Sequence, residues 1–347
     1  MIQSIHIENQ CIGALERPFI IAEMSGNHNK SLDRAMEIVR AAALAGASAI
    51  KLQTYTADTM TLPEIFKIED ENSLWQGREL YELYQEAATP WEWHKPIFEY
   101  ARSLGLVAFS SPFDASSVDF LEELGVGAFK IASFENTDLP LLTKIAATRK
   151  PVILSTGAST LSELDEAVST LRTHGCTELI LLKCTSTYPA SPEQSNLKTI
   201  PHLQQLYQCQ VGLSDHTMGI GVPIAAIALG ATVIEKHFTL NRADGGVDSA
   251  FSLEPHELKS LVQESERAFL AMGEIRYGVQ VAEQKSVAFK RSVYVVKDIK
   301  AGDFFSDENI RVIRPANGLA PRYYQTLLGK RAAIDIKRGT PMTWGLI

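Results

Sequence analysis

Cysteine is scarce in this chain. Cys11, Cys176, Cys184 and Cys209 are scattered without a CxxC, which removes a zinc knuckle and a disulfide framework from consideration. Long apolar runs are missing as well, none approaching the ~20 residues that span a bilayer. The opening Met1-Ile-Gln-Ser-Ile-His-Ile-Glu has neither the basic nor the long apolar stretch of a secretory leader. The expectation is a cytoplasmic protein with no membrane partner. Positive charge is in deficit, 33 Lys and Arg against 41 Asp and Glu for a net −8, which argues against nucleic acid as a partner. No GxxxxGK[ST] loop is present, so nothing points to phosphoryl transfer of the P-loop kind.

What the chain does have is alternation. Short β-type runs at Phe19–Glu23, Ala49–Thr54, Val107–Ser111, Ala128–Ser133, Val152–Thr156, Leu179–Cys184, Val211–Asp215 and Thr232–His237 are separated by amphipathic stretches such as 31–45, 115–124, 161–174, 222–229 and 255–272. The runs are continuously apolar, as strands buried on both faces are. About eight β-α units in roughly 275 residues predict a (β/α)8 TIM barrel. An open doubly wound sheet is disfavoured, because no GxGxxG follows the first strand and polar residues end nearly every strand, not only those at a switch point. The reading is residues 1–275 as the barrel, 276–289 as a linker and 290–347 as a small β-rich domain. That last part is basic, with twelve Lys and Arg against five Asp and Glu over 285–347. It reads as a lid or partner domain for an anionic site.

Barrel enzymes carry their active sites at the C-terminal strand ends. Two consecutive strands here end in Ser214-Asp-His216 and Glu235-Lys-His237, which places two imidazoles, carboxylates and an ammonium on one rim. That set suits a divalent metal beside an anionic substrate; the competing reading is a pair of structural histidines. Lys51 and Lys130 lie inside apolar strands, where an unpaired ammonium is costly. With Ser111, Ser133 and Ser155 they form a cradle for phosphate or carboxylate, or else they pair with Glu23 or Glu235 for structure. Glu135 opens a loop where a general acid or base can stand. Gln53 and Asp248 are candidates for sugar contacts. Arg314, held between Pro and Gly in Ile313-Arg-Pro-Ala-Asn-Gly318, can aim its guanidinium outward.

At this point the residues match a family. Phe19-Ile-Ile-Ala-Glu23-x-x-x-Asn27-His28, Lys51-Leu-Gln53-Thr, Lys130-Ile-Ala-Ser133-x-Glu135, Leu213-Ser-Asp-His216 and Ile234-Glu-Lys-His237-Phe resemble the sialic acid synthases, which condense phosphoenolpyruvate (PEP) with an N-acetylated hexose. Arg314-Pro-x-Asn-Gly318-Leu and Leu328-Gly-Lys-x-Ala resemble the antifreeze-like (SAF) domain of those enzymes. The resemblance covers essentially the whole chain. It is strongest to the bacterial pseudaminic acid synthases, through segments such as Thr89-Pro-Trp-Glu-Trp-His94, Phe109-Ser-Ser-Pro-Phe113 and Lys183-Cys-Thr-Ser-Thr-Tyr188. The N-acetylneuraminate branch usually has Gly where this chain has Phe134 and Asn where it has Ser186. A bulky Phe134 favours a sugar with a 6-deoxy methyl group.

The resemblance implies the roles. His216 and His237 hold Mn²⁺ or Mg²⁺. Lys51, Ser111, Lys130, Ser133, Ser155 and Ser186 hold PEP. Glu23, Gln53, Tyr188, Ser214 and Asp248 contact the amino sugar, and Arg314 reaches its N-acyl group, across a domain-swapped homodimer if the family's assembly holds. Glu135 and Glu23 are the candidate catalytic carboxylates. The implied reaction joins PEP, 2,4-diacetamido-2,4,6-trideoxy-altropyranose and water into pseudaminic acid and phosphate, with C–O cleavage of PEP; the product would decorate flagellin or a surface polysaccharide. The mannose-configured isomer and N-acetylmannosamine are the alternative substrates. Two rival classes are a metal-independent Schiff-base aldolase working through Lys183 or Lys130, and a non-catalytic sugar- or ice-binding protein.

Overall fold

A computed structural model describes residues 2–71 and 73–347, in two compact units that divide after Gly273. The first opens with a hairpin of β1 (Ile5–Ile7) and β2 (Gln10–Ile12), which the sequence reading did not anticipate. Its Ile5, Ile7 and Ile12 are buried in the main core. The hairpin crosses the N-terminal strand ends: Gln210, first in its strand, donates to the Gln3 carbonyl at 2.9 Å, and Glu178, just before another strand, accepts from the His6 amide.

Eight parallel strands then close into a barrel: β3 (Phe19–Glu23), β4 (Ala49–Thr54), β5 (Val107–Pro112), β6 (Phe129–Ile131), β7 (Val152–Ser155), β8 (Leu179–Cys184), β9 (Gln210–Asp215) and β10 (Val233–His237), with β10 pairing back to β3. Every strand residue is buried except the half-buried Gln53, as continuous apolar runs require. The main departure from expectation is β6. It spans three residues, not the six of 128–133, because Ser133–Glu135 turns into a 3-10 helix at the rim.

The outer layer holds α1 (Leu32–Ala45), α2 (Ala57–Met60), α3 (Leu80–Ala87), α4 (Trp91–Ser103), α5 (Ala115–Glu123), α6 (Leu139–Ala147), α7 (Leu161–Thr173), α8 (Thr199–Tyr207), α9 (Gly221–Ala228) and α10 (Pro255–Met272). Caps fix several starts. Ser31 accepts from the Arg34 amide, Asp114 from those of Ser116 and Ser117, and Thr160 forms a capping box with Glu163. Between β4 and β5 the chain makes its longest excursion, through α2 and α3. No helix among the described residues is long and apolar enough to cross a membrane.

The second unit, Glu274–Ile347, begins with 3-10 turns over Val281–Phe289 where a plain linker was expected. It then pairs β11 (Ser292–Val295) with β12 (Ile310–Ile313) in antiparallel register. Bridges Ile299 to Ile336 and Phe304 to Arg331 extend this β-rich unit. It has a core of its own, built on Val293, Val295, Phe305, Ile310, Leu327 and Met342.

Candidate active site

Period-two alternation turns Glu23, Lys51, Lys130 and Glu235 into the barrel mouth. Lys51 Nζ lies 3.1 Å from Glu23 Oε2, 3.2 Å from Glu235 Oε2 and 3.4 Å from Ser111 Oγ. Lys130 Nζ donates to Ser155 Oγ at 2.7 Å and lies 3.9 Å from Glu235 Oε1, which also accepts from Ser214 at 2.9 Å. Gln53 donates to Glu23 Oε1 at 2.9 Å. The lysines are therefore paired as the structural reading expected, and they also stand beside the serines as the cradle reading required. Burial works against the Lys51 ammonium, but Glu23 and Glu235 outweigh it and keep it charged. Burial lowers Lys130 to about 8. Burial also opposes ionisation of both carboxylates; Lys130 and Lys51 overcome it at Glu235, whereas Glu23 stays raised. Glu23 Oε2 and Glu235 Oε2 share the Lys51 ammonium, so this buried floor is held together by its own charges.

The remaining cradle serines converge on Gly157. Its amide donates to Ser133 Oγ at 3.2 Å, and a Cβ at this position would sit 2.7 Å from Ser133 Oγ and closer still to Ser186 Oγ. Asn136 fastens the turn by donating to the Gly157 carbonyl at 3.1 Å and to the Ser159 hydroxyl. Two ammonium groups and four hydroxyls thus line one side of the mouth, a donor-rich surface suited to a small multiply charged anion.

The two imidazoles lie with ring centroids 5.3 Å apart. His216 Nδ1 is 3.0 Å from the Thr185 carbonyl, which can only accept, so this nitrogen carries a proton. Burial disfavours the charged ring, but Cys184 and that carbonyl outweigh it and raise His216 above its ordinary value. His237 is buried and held well below the usual imidazole range, first by burial and then by neighbouring positive charge; its Nδ1 has no hydrogen-bond partner. Two imidazoles, one oriented by a carbonyl and the other with an orphaned buried nitrogen, fit a divalent cation. Elsewhere Glu254, His256 and Glu257 approach one another, but Arg242 already pairs with Glu254 and Glu257.

Above the floor opens a cavity of about 410 Å³. Its polar end carries Gln53, Glu135, Tyr188, His237 and Asp248, and its apolar wall includes Tyr55, Ile68, Trp75, Leu83, Phe113 and Phe134. Phe134 is 63% exposed at the rim. Trp75, from the long excursion, donates to the Val247 carbonyl at 3.0 Å, and its ring centroid lies 5.9 Å from that of Tyr188. Asp248 is buried and accepts from the hydroxyl of Ser25, a non-glycine residue held at φ 49°; left-handed backbone of this kind stores strain and clusters at functional sites. Glu135 is half-buried with Oε2 unpartnered, and burial raises it to about 7.

The structure thus brings His216, His237, Glu23, Glu135, Lys51, Lys130, Gln53, Tyr188, Asp248 and the four cradle serines to one mouth. Ser214 sits lower, bonded to Glu235 and absent from the cavity lining. Arg314 belongs to the second unit, just after β12. Sequence reading placed Glu235 on the rim without giving it a site role, and it passed over Cys184, Gly157 and Asn136. Glu235 had a usable signal, since it lies two residues before His237 and so faces the same way. Cys184 ends β8 with its sulfur 3.9 Å from His216 Nδ1.

Comparison with known proteins follows the same lines. Residues 38–277 match the model of the NeuB family, and residues 290–347 match the SAF domain. The chain is 46% identical over 333 residues to a pseudaminic acid synthase of Campylobacter jejuni subsp. jejuni serotype O:2, covering 95% of this chain and 96% of the relative. It is 43% identical to a pseudaminic acid synthase of Helicobacter pylori, over 95% of this chain and 97% of that one. Among solved structures, the N-acetylneuraminic acid (sialic acid) synthetase of Leptospira borgpetersenii serovar Hardjo-bovis, in complex with citrate, superposes with a TM-score of 0.74. It is 35% identical, over 82% of this chain and 95% of that one.

Proposed function

From the premise that the chain belongs to the NeuB family, we propose that its cavity condenses PEP with 2,4-diacetamido-2,4,6-trideoxy-altropyranose and water, giving pseudaminic acid and phosphate. The chain is an enzyme of the pseudaminic acid synthase-like kind, and a sialic-acid-synthase-type condensation is its reaction class. The observation that carries the finer reading is the juxtaposition at one mouth of an anion cradle, two adjacent imidazoles and a cavity with polar and apolar lining.

Lys51 and Lys130, with Ser111, Ser133, Ser155 and Ser186, balance the roughly −3 charge of PEP and fix its orientation. His216 and His237 would hold Mn²⁺ or Mg²⁺, which when bound draws electron density from the open-chain aldehyde of the sugar. Gln53, Tyr188 and Asp248 hold that sugar at the polar end, Ser214 supports the floor beneath it, and Phe134 and Trp75 pack against its methyl and acyl groups. The new bond joins C3 of PEP to the aldehyde carbon, and Glu135, half-protonated near neutral pH, delivers the proton to the nascent alkoxide. Water adds at C2 of PEP, and Glu23 takes its proton. The C2–O bond then breaks, releasing phosphate and leaving the 2-keto acid. Arg314 completes the N-acyl contact in a domain-swapped homodimer, and the reaction takes place in the cytoplasm.

The test is phosphate release from PEP with Mn²⁺ and each of three sugars: the altrose-configured diacetamido sugar, its mannose-configured isomer and N-acetylmannosamine. Release with the first alone, abolished by EDTA, supports the reading. Preference for another sugar moves the substrate and keeps the chemistry, whereas release insensitive to EDTA removes the metal. No release, together with pyruvate trapping by borohydride, hands the site to the aldolase reading.

A further inference from the structure

Two buried charges take no part in the chemistry above. Asp215 and Lys236 are Cα partners in the register of β9 with β10, and each is next in sequence to one of the two imidazoles. Their neighbours Ser214 and Glu235 bond to each other inside the mouth, so alternation turns Asp215 and Lys236 to the opposite face, toward the helical layer. Glu257 of α10 lies close enough to that face to attract the Lys236 ammonium.

The pair is closed on itself. Lys236 Nζ donates to Asp215 Oδ2 at 2.9 Å and also to the Thr217 carbonyl. Asp215 in turn accepts from the Thr217 amide at 3.1 Å and from its hydroxyl at 2.9 Å. The side chains of Asp215 and Lys236 are only 3% and 1% exposed. The residues on both sides of His216 are therefore tied to the residue that precedes His237. Stability does not account for such a pair, because apolar side chains of similar volume hold a fold about as well as a desolvated ion pair. Geometry does account for it. A site with two protein ligands has no third one to correct its spacing, so the strand ends themselves must set it.

We propose that Asp215, Lys236 and Thr217 form a positioning clamp, behind the barrel wall, that fixes His216 and His237 at the separation a shared divalent cation requires. The inference rests on the metal reading above. These are positioning residues, and their effect should appear in metal affinity while PEP binding is spared, since Lys51 and Lys130 lie on the other face.

The experiment measures Mn²⁺ uptake by the metal-stripped full-length protein, from the electron paramagnetic resonance signal of free Mn²⁺. Four proteins are compared: wild type, His216→Ala, the double variant Asp215→Asn/Lys236→Met and the near-isosteric Thr217→Val. The double variant removes both charges together and keeps an acceptor for the Thr217 amide, so no uncompensated charge is left buried. Its Mn²⁺ dissociation constant should rise roughly 10- to 100-fold, the usual effect of losing outer-shell support. Its KM for PEP should stay within twofold of wild type. Thr217→Val should weaken Mn²⁺ severalfold in the same direction, and it carries the test if the double variant does not fold. Unchanged Mn²⁺ affinity in either folded variant overturns the clamp while leaving the metal site standing. Absent uptake by wild type, or uptake unaffected by His216→Ala, overturns the metal reading and the clamp with it.

Discussion

Alanine at position 157 is the most direct challenge to the anion cradle. Gly157 does not occupy the left-handed region, so the substitution acts by bulk and not by backbone strain. The added Cβ would stand 2.7 Å from Ser133 Oγ and nearer to Ser186 Oγ, against the ~3.5 Å at which non-bonded heavy atoms are comfortable. Both obstructing atoms end short rotatable side chains, so the hydroxyls turn away before the barrel deforms. Overpacking of this kind costs about 1–3 kcal/mol of stability. The larger effect falls on the ligand. A hydrogen bond to a charged group contributes about 1.5–3 kcal/mol, and two displaced hydroxyls recover part of that through new rotamers. A net loss of about 2–3 kcal/mol corresponds to a KM for PEP raised roughly 30- to 150-fold. Phosphate release at saturating sugar, with PEP varied, reads this directly; a melting curve reads the stability term, and the sugar KM should stay within twofold. If Gly157→Ala keeps a wild-type KM for PEP with an unchanged Tm, the serines around Gly157 do not hold PEP.

Two further outcomes follow from the upper cavity. Burial raises Glu135 from 4.5 to about 7, so if its protonated form is the active one, kcat should decline above about pH 7. Glu135→Gln should lower kcat by roughly 10²–10⁴ and remove that limb from the pH profile; an unchanged limb in the variant would assign it elsewhere. The same raised value means that the stability contributed by this carboxyl is fully present below pH 4.5 and lost as pH rises through about 7, so Tm should depend less on pH in the variant across that window. Phe134 lines the cavity while 63% exposed. Phe134→Gly should change Tm little and shift the ratio of kcat/KM by about tenfold toward sugars with a free hydroxymethyl group. An unaltered ratio would show that the ring does not read C6.

The barrel was legible because its strands are buried on both faces, and such strands write themselves as unbroken apolar runs. The rim was legible for the opposite reason. Lys51 and Lys130 inside strands, and His216 and His237 at strand ends, are polar where apolar residues would pack more simply. What escaped lies where local pattern carries no tertiary information. Glu235 shows its direction by standing two residues before His237, but its partners appear only when β10 closes onto β3 and sets it between two lysines. Gly157 reads as an ordinary loop glycine until the ends of β6 and β8 deliver Ser133 and Ser186 against it. The three-residue β6 was overestimated because Ala128 and Ala132 extend its apolar trend on both sides, and only the rim geometry turns Ser133–Glu135 into a 3-10 helix. The hairpin β1–β2 is too short to show a period at all.

That hairpin works at the end of the barrel away from the chemistry. Its Ile5, Ile7 and Ile12 join the main core, and Gln210 and Glu178 tie the segment to the starts of β9 and β8. Residues at the bottom face of such a barrel serve the fold, and the loops at the top serve the reaction. A dozen residues at the start of the chain thus strengthen the barrel from below and leave the rim to be shaped by what it binds.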